Sequence, residues 1–248
     1  MDADLALALA LADLADGIAL PRFRALDLRV DTKADHTPVT EADKAVERAI
    51  RERLAVARPD DAILGEEEGA SGSEPQSPRS RRWIVDPIDG TRNYSRGIPA
   101  WFTLLGLELD GRIDVGVASA PALGRRWWAR RGEGAFANGE PIRVSAIAAV
   151  EDAVVSFAAS SRARIEPLLR RAWHPQPFSD AWAHLLVAEG SADVAIEHSL
   201  RPWDIAALVP IVEEAGGRVT AVDGRPVLVG PGLVTTNGVL HDAVLAEL

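Results

Sequence analysis

The segment WIVDPIDGTRNYSRG, residues 83–97, sets two carboxylates, Asp86 and Asp89, three positions apart around a proline and an isoleucine. Trp83, Ile84 and Val85 read as a buried strand that Asp86 closes. An acid at a strand end points into a cleft while the strand fixes its position. Pro87 locks one φ angle and withholds an N–H, so Asp89 can turn back toward Asp86. The Ile88 carbonyl offers a further oxygen. Hard cations such as Mg²⁺ take oxygen ligands, usually one or two carboxylates completed by water and a substrate phosphate. Gly90 and Thr91 follow at once and can present backbone N–H groups to an anion. The same D-x-x-D-G-T spacing also suits a plain loop closed by an Asx turn. The segment alone leaves both readings open.

Three more acid sites bear on the choice. Glu66 and Glu67 end the short apolar run AILG, residues 62–65, either as cleft acids or as a solvated rim. Asp204 stands in RPWD at the start of a helix, where an aspartate is commonly a cap. Asp43 lies in the first turn of its helix, where an acid suits the helix dipole. Taken together these positions weigh differently. If Glu66, Asp86, Asp89 and Asp204 converge, two unit charges about 4 Å apart cost about 4 kcal/mol even at an effective dielectric of about 20. Such a cluster protonates or binds cations. Two Mg²⁺ ions about 3.5–4 Å apart neutralise it and activate a water for attack on phosphorus.

The bulk composition agrees with that chemistry. A chain of 248 residues fits one large domain or two intimately packed subdomains. Its 47% hydrophobic and 26% charged residues are ordinary for a soluble globular protein. With no cysteine there is no disulfide, thiolate nucleophile or Cys-based zinc site. A metal must be held by oxygen or by the five histidines. The net charge of −10 argues against a nucleic-acid partner, and a divalent cation is what lets so acidic a chain hold a phosphate. The N-terminal MDADLALALALADLADGIAL is apolar but carries Asp2, Asp4, Asp13 and Asp16. A signal peptide begins with positive charge, and a membrane span tolerates few acids. We read it as an amphipathic packing helix, and expect a cytoplasmic protein without membrane attachment.

Helical periodicity covers roughly residues 2–20. A second helix fits TEADKAVERAIRERLAVARP, with Thr40 as N-cap, Asp43 in capping-box position and Pro59 beyond its end. SGSEPQSPRS, residues 71–80, reads as an exposed, mobile loop. Residues 103–145 read as a β-meander turning at Asp110-Gly111 and Asn138-Gly139. Beyond about residue 150 the style changes. AVVSFA, DVAIEH and GLVTTN read as strands. ARIEPLLRRA and AWAHLLVAEGSAD read as helices, the second ending near Gly190. RPWDIAALVPIVEEAGG reads as one helix bent at Pro210 and closed by a glycine pair, and a short terminal helix follows. An α+β part, residues 1–145, joins a more α/β part, residues 146–248. There are no internal repeats or heptads.

WIVDPIDGT, LGEE, TEAD and PWDIAA with its following EAGG resemble the inositol-monophosphatase superfamily of Mg²⁺-dependent phosphatases. The four motifs occur in family order and span essentially the whole chain. The resemblance implies a layered αβαβα sandwich of the inositol monophosphatase / fructose-1,6-bisphosphatase type, usually a homodimer, with two or three Mg²⁺ ions. It implies that Glu66 and Asp86 hold a first metal with the Ile88 carbonyl, and that Asp86, Asp89 and Asp204 hold a second. Asp43 then helps place a third metal or its waters. Thr91, with Glu66, orients the attacking water, and the N–H groups of Gly90 and Thr91 hold the phosphate. The chemistry uses no phosphoenzyme, and positioning with charge neutralisation supplies most of the catalysis. Excess Li⁺ is an expected inhibitor.

Substrate choice lies elsewhere. Glu197, seven residues before Asp204, and Asp180 match substrate-contacting acids of the family, and each also fits a plain surface charge. SAPALGRRWWARRGEGAF, AALVPIVEEAGGR and RGIPAW resemble more closely the histidinol-phosphatase branch of actinobacterial type. L-Histidinol is cationic at its amine, which acids at 180 and 197 suit. Acids also accept hydrogen bonds from inositol hydroxyls, so they do not decide. Trp127 and Trp128 fit either a flat imidazole partner or packing within the meander. Tyr94 stands where phenylalanine is usual, and Ser179 where glycine usually precedes the acid. The expected substrate is L-histidinol phosphate. Inositol monophosphate or a broad set of sugar phosphates is the alternative, followed by a nucleotide 3′-phosphate. A metal-binding regulatory protein without turnover would be expected to lack an acid or the threonine, yet Glu66, Asp86, Asp89, Thr91 and Asp204 are all present.

Overall fold

The computed structural model describes residues 2–72 and 80–248, so most of the segment expected to form an exposed loop lies outside the described residues. Helix α1 (Ala3–Arg22) starts at an N-cap, Asp2, whose carboxylate accepts the Asp4 N–H at 2.9 Å. Leu5, Leu7, Ala8, Leu11, Ala12, Ala15 and Ala19 enter the core. Its acids stay at the rim, where Asp4 pairs with Arg58 and Arg81, and Asp13 and Asp16 pair with Arg126. A small hairpin of β1 (Val30–Thr32) and β2 (Pro38–Thr40) leads into α2 (Glu41–Ala57). The capping box at the start of α2 forms as its sequence predicts, between Thr40 and Asp43.

The first sheet has eight strands among the described residues. They are β3 (Ala62–Gly65), β4 (Gly69–Ser71), β5 (Arg81–Asp89), β6 (Phe102–Leu109), β7 (Arg112–Ala120), β8 (Arg125–Arg130), β9 (Gly134–Ala137) and β10 (Glu140–Pro141). Their spatial order is β10-β9-β8-β7-β6-β5-β3-β4, and only the β3–β5 pair is parallel. The meander turns fall at Asp110-Gly111 and Asn138-Gly139, with positive φ at all four residues, as tight hairpins of right-twisted strands require. Helix α3 (Thr91–Ser95) is a single turn after β5.

The second sheet uses β11 (Val154–Phe157), β12 (His174–Gln176), β13 (Val194–Glu197), β14 (Arg218–Thr220) and β15 (Leu233–Thr236), in the order β12-β11-β13-β15-β14. The remaining helices are α4 (Arg162–Arg171), α5 (Asp180–Ala188), α6 (Pro202–Ala206), α7 (Leu208–Glu214) and α8 (His241–Leu245). Side-chain alternation on the strands fixes the layers. On β5, Trp83 and Val85 face α1 and α2, while Ile84 meets Ala206 of α6 on the other face. On β13, Val194 and Ile196 pack with α4 and α8, while Ala195 packs with α5. The result is α1/α2, first sheet, α5–α7, second sheet, α4/α8: an αβαβα sandwich. The middle helices close a cleft between the sheets, with β5 on one side and β13 on the other.

One element differs from its expected form. Residues 202–214 make two short helices rather than one bent helix, with the break at Ala207. Pro210 lacks the N–H that would reach the Ala206 carbonyl, and its ring crowds that same carbonyl. The bend therefore falls three residues before the proline. The glycine pair ends α7 as expected, with the Gly217 N–H donating to the Val212 carbonyl at 2.9 Å.

Candidate active site

Strand β5 does not stop at Asp86. It continues to Asp89 through a bulge, with Asp86 opposite Leu104 and Asp89 opposite Phe102. Three steps on β5 thus match two on β6, and one residue is extra. Pro87 tolerates this because it has no N–H to pair, and its carbonyl accepts the Thr103 hydroxyl at 2.9 Å. In a regular strand, residues three apart face opposite sides. The bulge removes that alternation and brings the two acids to one place. Carboxylate oxygens of Asp86, Asp89 and Asp204 all lie within 4.8 Å of one another. Asp204 arrives on α6, where its Oδ2 accepts the Arg201 N–H at 2.7 Å. Asp204 is thus not the N-cap, which is Arg201, but its carboxylate satisfies the N-cap N–H while belonging to the cluster. Glu66, just after β3, adds its charge to the surroundings of Asp86.

The electrostatic cost is visible. Burial, then the charges of Glu66, Asp89 and Asp204, push the Asp86 carboxyl well above the usual carboxylate range. Burial and the charges of Asp180 and Asp204 do the same to Asp89. Asp204 rises to about 6, chiefly through burial. The buried Asp86 Oδ1 has no hydrogen-bond partner. An all-oxygen donor set with an orphaned carboxylate oxygen fits a hard divalent cation.

Around this trio the other expected residues take their places. The fully buried Asp43 holds the Thr40 N–H on Oδ2 at 2.8 Å and faces the Thr91 hydroxyl with Oδ1 at 3.1 Å. That hydroxyl also lies 3.0 Å from the Ile88 carbonyl oxygen, while the Ile88 side chain sits in the core. Gly90 adopts φ 80° and turns the chain from β5 into α3. A left-handed turn here suits glycine alone at low cost, and it leaves the first N–H groups of α3 without intrahelical partners. A cavity of about 800 Å³ opens over these groups, lined by Glu66, Asp89, Thr91, Asp180, Glu197 and Asp204.

The model of the inositol monophosphatase family matches residues 2–248. The chain belongs to the inositol monophosphatase family. A Mycobacterium tuberculosis protein named histidinol-phosphatase is 49% identical to it, over 99% of this chain and 97% of that protein. Among solved structures, the suppressor protein SuhB of Bartonella henselae superimposes with a TM-score of 0.90 at 28% identity, covering 99% of this chain and 98% of that one. A solved IMPase/NADP phosphatase holding Mg²⁺ and phosphate superimposes with a TM-score of 0.86 at 25% identity, covering 99% and 94%.

In this member of the inositol monophosphatase family the far wall of the cavity is built from α5 and β13. Asp180 opens α5 and Glu197 ends β13. Glu197 is 5% exposed. Burial and the charge of Asp180 raise it well above its ordinary range, and its buried Oε1 has no hydrogen-bond partner among the described residues. Asp180 is itself raised by burial, against the charge of Arg92. Behind Glu197 stands the buried His184, its Nδ1 2.8 Å from the Thr235 hydroxyl and its Nε2 3.9 Å from Glu197 Oε1. Burial lowers this imidazole to about 3, so it is neutral.

Trp127 and Trp128 take no part in the cavity. Trp127 is core, with its indole N–H donated to Glu189, and Trp128 stacks on Phe136 at 5.9 Å. The packing alternative is the one realised. The aromatic residue in the cavity wall is Trp203. Tyr94, in the usual phenylalanine position, uses its extra hydroxyl to donate to the Ala19 carbonyl at 2.7 Å.

The site also contains a cation that the sequence motifs did not single out. Lys33 Nζ lies 2.7 Å from both Glu66 Oε1 and Glu67 Oε1. Burial pulls this ammonium down, but the two ion pairs outweigh it and hold it above its ordinary value. Burial carries Glu67 up to about 7 despite Lys33. A lone lysine in a polar turn carries no sequence signal. Only the β1–β2 hairpin, which brings it over β3, reveals it.

Proposed function

We propose that this chain hydrolyses a small phosphate monoester with Mg²⁺, and that its substrate is L-histidinol phosphate. The carrying observation is the second pair of carboxylates. Asp180 and Glu197 stand in the cavity wall next to Asp89 and Asp204, where the alcohol of a phosphate held at the trio would lie. An ammonium there would neutralise them. The 49% identity to the histidinol-phosphatase of Mycobacterium tuberculosis supports the same choice.

Glu66, Asp86, Asp89 and Asp204 with the Ile88 carbonyl would hold two Mg²⁺ ions, and Asp43 would serve the waters of a third. Bound there, Mg²⁺ neutralises the phosphate and lowers the pKa of a water. The Thr91 hydroxyl, its proton shared between Asp43 and the Ile88 carbonyl, keeps a lone pair to orient that water together with Glu66. The Gly90 and Thr91 N–H groups hold phosphate oxygens. The water oxygen would bond to phosphorus as the phosphorus–ester oxygen bond breaks opposite, one proton of the attacking water passing to solvent and the leaving alkoxide taking one from solvent, so that protons balance. Asp180 and Glu197 hold the leaving alcohol throughout. Following the family resemblance, the working form is a cytoplasmic homodimer, and light scattering on the purified protein checks the assembly.

Phosphate release with Mg²⁺ is the test, on L-histidinol phosphate, inositol 1-phosphate and a nucleotide 3′-phosphate. The expected preference for histidinol phosphate is about a hundredfold or more in kcat/KM, the range in which buried polar partners discriminate. Comparable rates on all three would keep the phosphatase chemistry and overturn the substrate. Preference for inositol phosphate would do the same, since its hydroxyls can also donate to the two acids.

A further inference from the structure

Glu47, on α2, is a fully buried carboxylate that lies neither in the acid trio nor in the cavity wall. Its bonds go to the chain just after β3. Oε2 accepts the Glu67 N–H at 2.7 Å, and Oε1 accepts the Glu68 N–H at 3.0 Å. Arg51, one turn along α2, donates its Nε to Oε1 at 2.9 Å and reaches onward to the Gly69 carbonyl and the Ser71 hydroxyl. The approach is open only because residue 65 is glycine. A Cβ at Gly65 would lie 2.1 Å from Glu47 Oε1 and 2.4 Å from Cδ, well inside any real contact.

The residue enclosed by these bonds is Glu66. Its own N–H donates to the Val85 carbonyl at 3.2 Å, and the next N–H along the chain is held by Glu47. Val85 immediately precedes Asp86. The backbone of Glu66 is thus fixed between the strand that carries Asp86 and a carboxylate rooted in the helix core. Burying a carboxylate is costly unless every oxygen is bonded, and here both are, by charge-assisted bonds.

We propose that Glu47, admitted by Gly65, is a positioning residue that holds Glu66 against Asp86 and so sets the affinity of the acid cluster for a divalent cation. The inference rests on Glu66 being a metal ligand, as in the function proposed above. It makes α2 the part of the fold that tunes metal affinity. Helix α2 carries Asp43 behind Thr91 in its first turn, and one turn later Glu47 behind Glu66.

The experiment is calorimetric titration of the full chain with Mg²⁺ and no substrate, on wild type, E47Q, G65A, I50V and E66Q, with a thermal melt of each. In E47Q the amide oxygen can still face Glu68 and Arg51, so the amide NH₂ confronts the Glu67 N–H and that tie is lost. The expected result is a Kd for Mg²⁺ raised about tenfold to a hundredfold, the usual effect of removing a ligand's supporting bond, with kcat at saturating Mg²⁺ within about threefold. G65A, in which the new methyl displaces the Glu47 carboxylate, shifts Kd in the same direction and serves if E47Q fails to fold. I50V trims the same helix in the core, lowers the melting temperature and leaves Kd unchanged, which separates positioning from general destabilisation. Wild-type Kd in both E47Q and G65A, with E66Q weakened, overturns the inference and spares the proposed function. Wild-type Kd in E66Q overturns the ligand role of Glu66 itself.

Discussion

Asp180 has φ 59°, the left-handed region, although it is not glycine and opens a helix. That conformation costs an L-residue roughly 1–2 kcal/mol, least for Asn and Asp. Its effect is to aim the N–H of the next residue, Ala181, at Asp89 Oδ2, 2.7 Å away. Strain of this kind persists where the surroundings over-determine it. D180N keeps a side chain that tolerates the conformation and removes the charge. It should lower kcat/KM for histidinol phosphate roughly tenfold to a hundredfold, the loss of one bond to a charged group, with an unchanged or higher melting temperature. D180A should lose the same activity and also melt lower, by about 1 kcal/mol of backbone cost. Equal melting temperatures for the two variants would remove the strain from this account. The acid at 180 was legible in the sequence, but its backbone was not. The glycine expected just before it is replaced by Ser179, which is extended at φ −132° and has room for a side chain, because the left-handed turn falls one residue later.

Strands β6 and β7 place Gly106 directly opposite Gly116, and together they form a floor without side chains. A Cβ at Gly106 would lie 2.8 Å from the Ala206 Cβ, and one at Gly116 only 2.1 Å from the Ala207 carbonyl oxygen. The break between α6 and α7, at Ala207, rests on this floor, three residues beyond Asp204. G116A should therefore lift α6 from the sheet, cost about 1–3 kcal/mol as overpacked sites do, and weaken Mg²⁺ binding by displacing Asp204. G17A, on the exposed face of α1 with nothing within 4 Å of its new methyl, should instead gain about 1 kcal/mol from helix propensity. Opposite shifts in the two thermal melts are the expected outcome, and loss of stability in both would show that the floor has no special role. Elements of this kind divide by what encodes them. Long periodic runs such as α2, and hairpins closed by Asp-Gly or Asn-Gly, were readable because the signal is local. The bulge at Pro87 and the floor at Gly106 and Gly116 were not, because each is defined by the neighbouring strand or helix. The three-residue strands β1, β2, β4, β12 and β14 carry too few side chains for alternation to register.

At the scale of the whole molecule, the two sheets and the middle helices press into one cleft acids drawn from β3, β5, α5, α6 and β13. The fold holds those acids at a cost that depends on pH. Asp204 has a pKa of about 6 in the fold against 3.8 as its ordinary value, and burial with neighbouring carboxylates also raises Asp86 and Asp89 well above theirs. A raised carboxyl keeps a proton that the unfolded chain has already released, so its contribution to stability falls as pH rises through the window between the two values. The buried histidines act in the opposite direction. Burial lowers His184 to about 3 and His241 to about 4, so they add stability as pH rises toward 6.5, their ordinary value. A metal-free pH profile therefore mixes two opposed effects. The stabilisation added by Mg²⁺ does not, because the histidines contribute equally with and without the ion. A cation competes with protons only at the carboxylates, and it stabilises the fold in proportion to its affinity. The gain in melting temperature from millimolar Mg²⁺ should be small at about pH 5, below the Asp204 value of about 6, and large at about pH 8, above it. Chelation at the higher pH should abolish the gain. An equal gain at both pH values would mean that the ion binds away from the cluster, and the acid trio would lose its role as the metal centre.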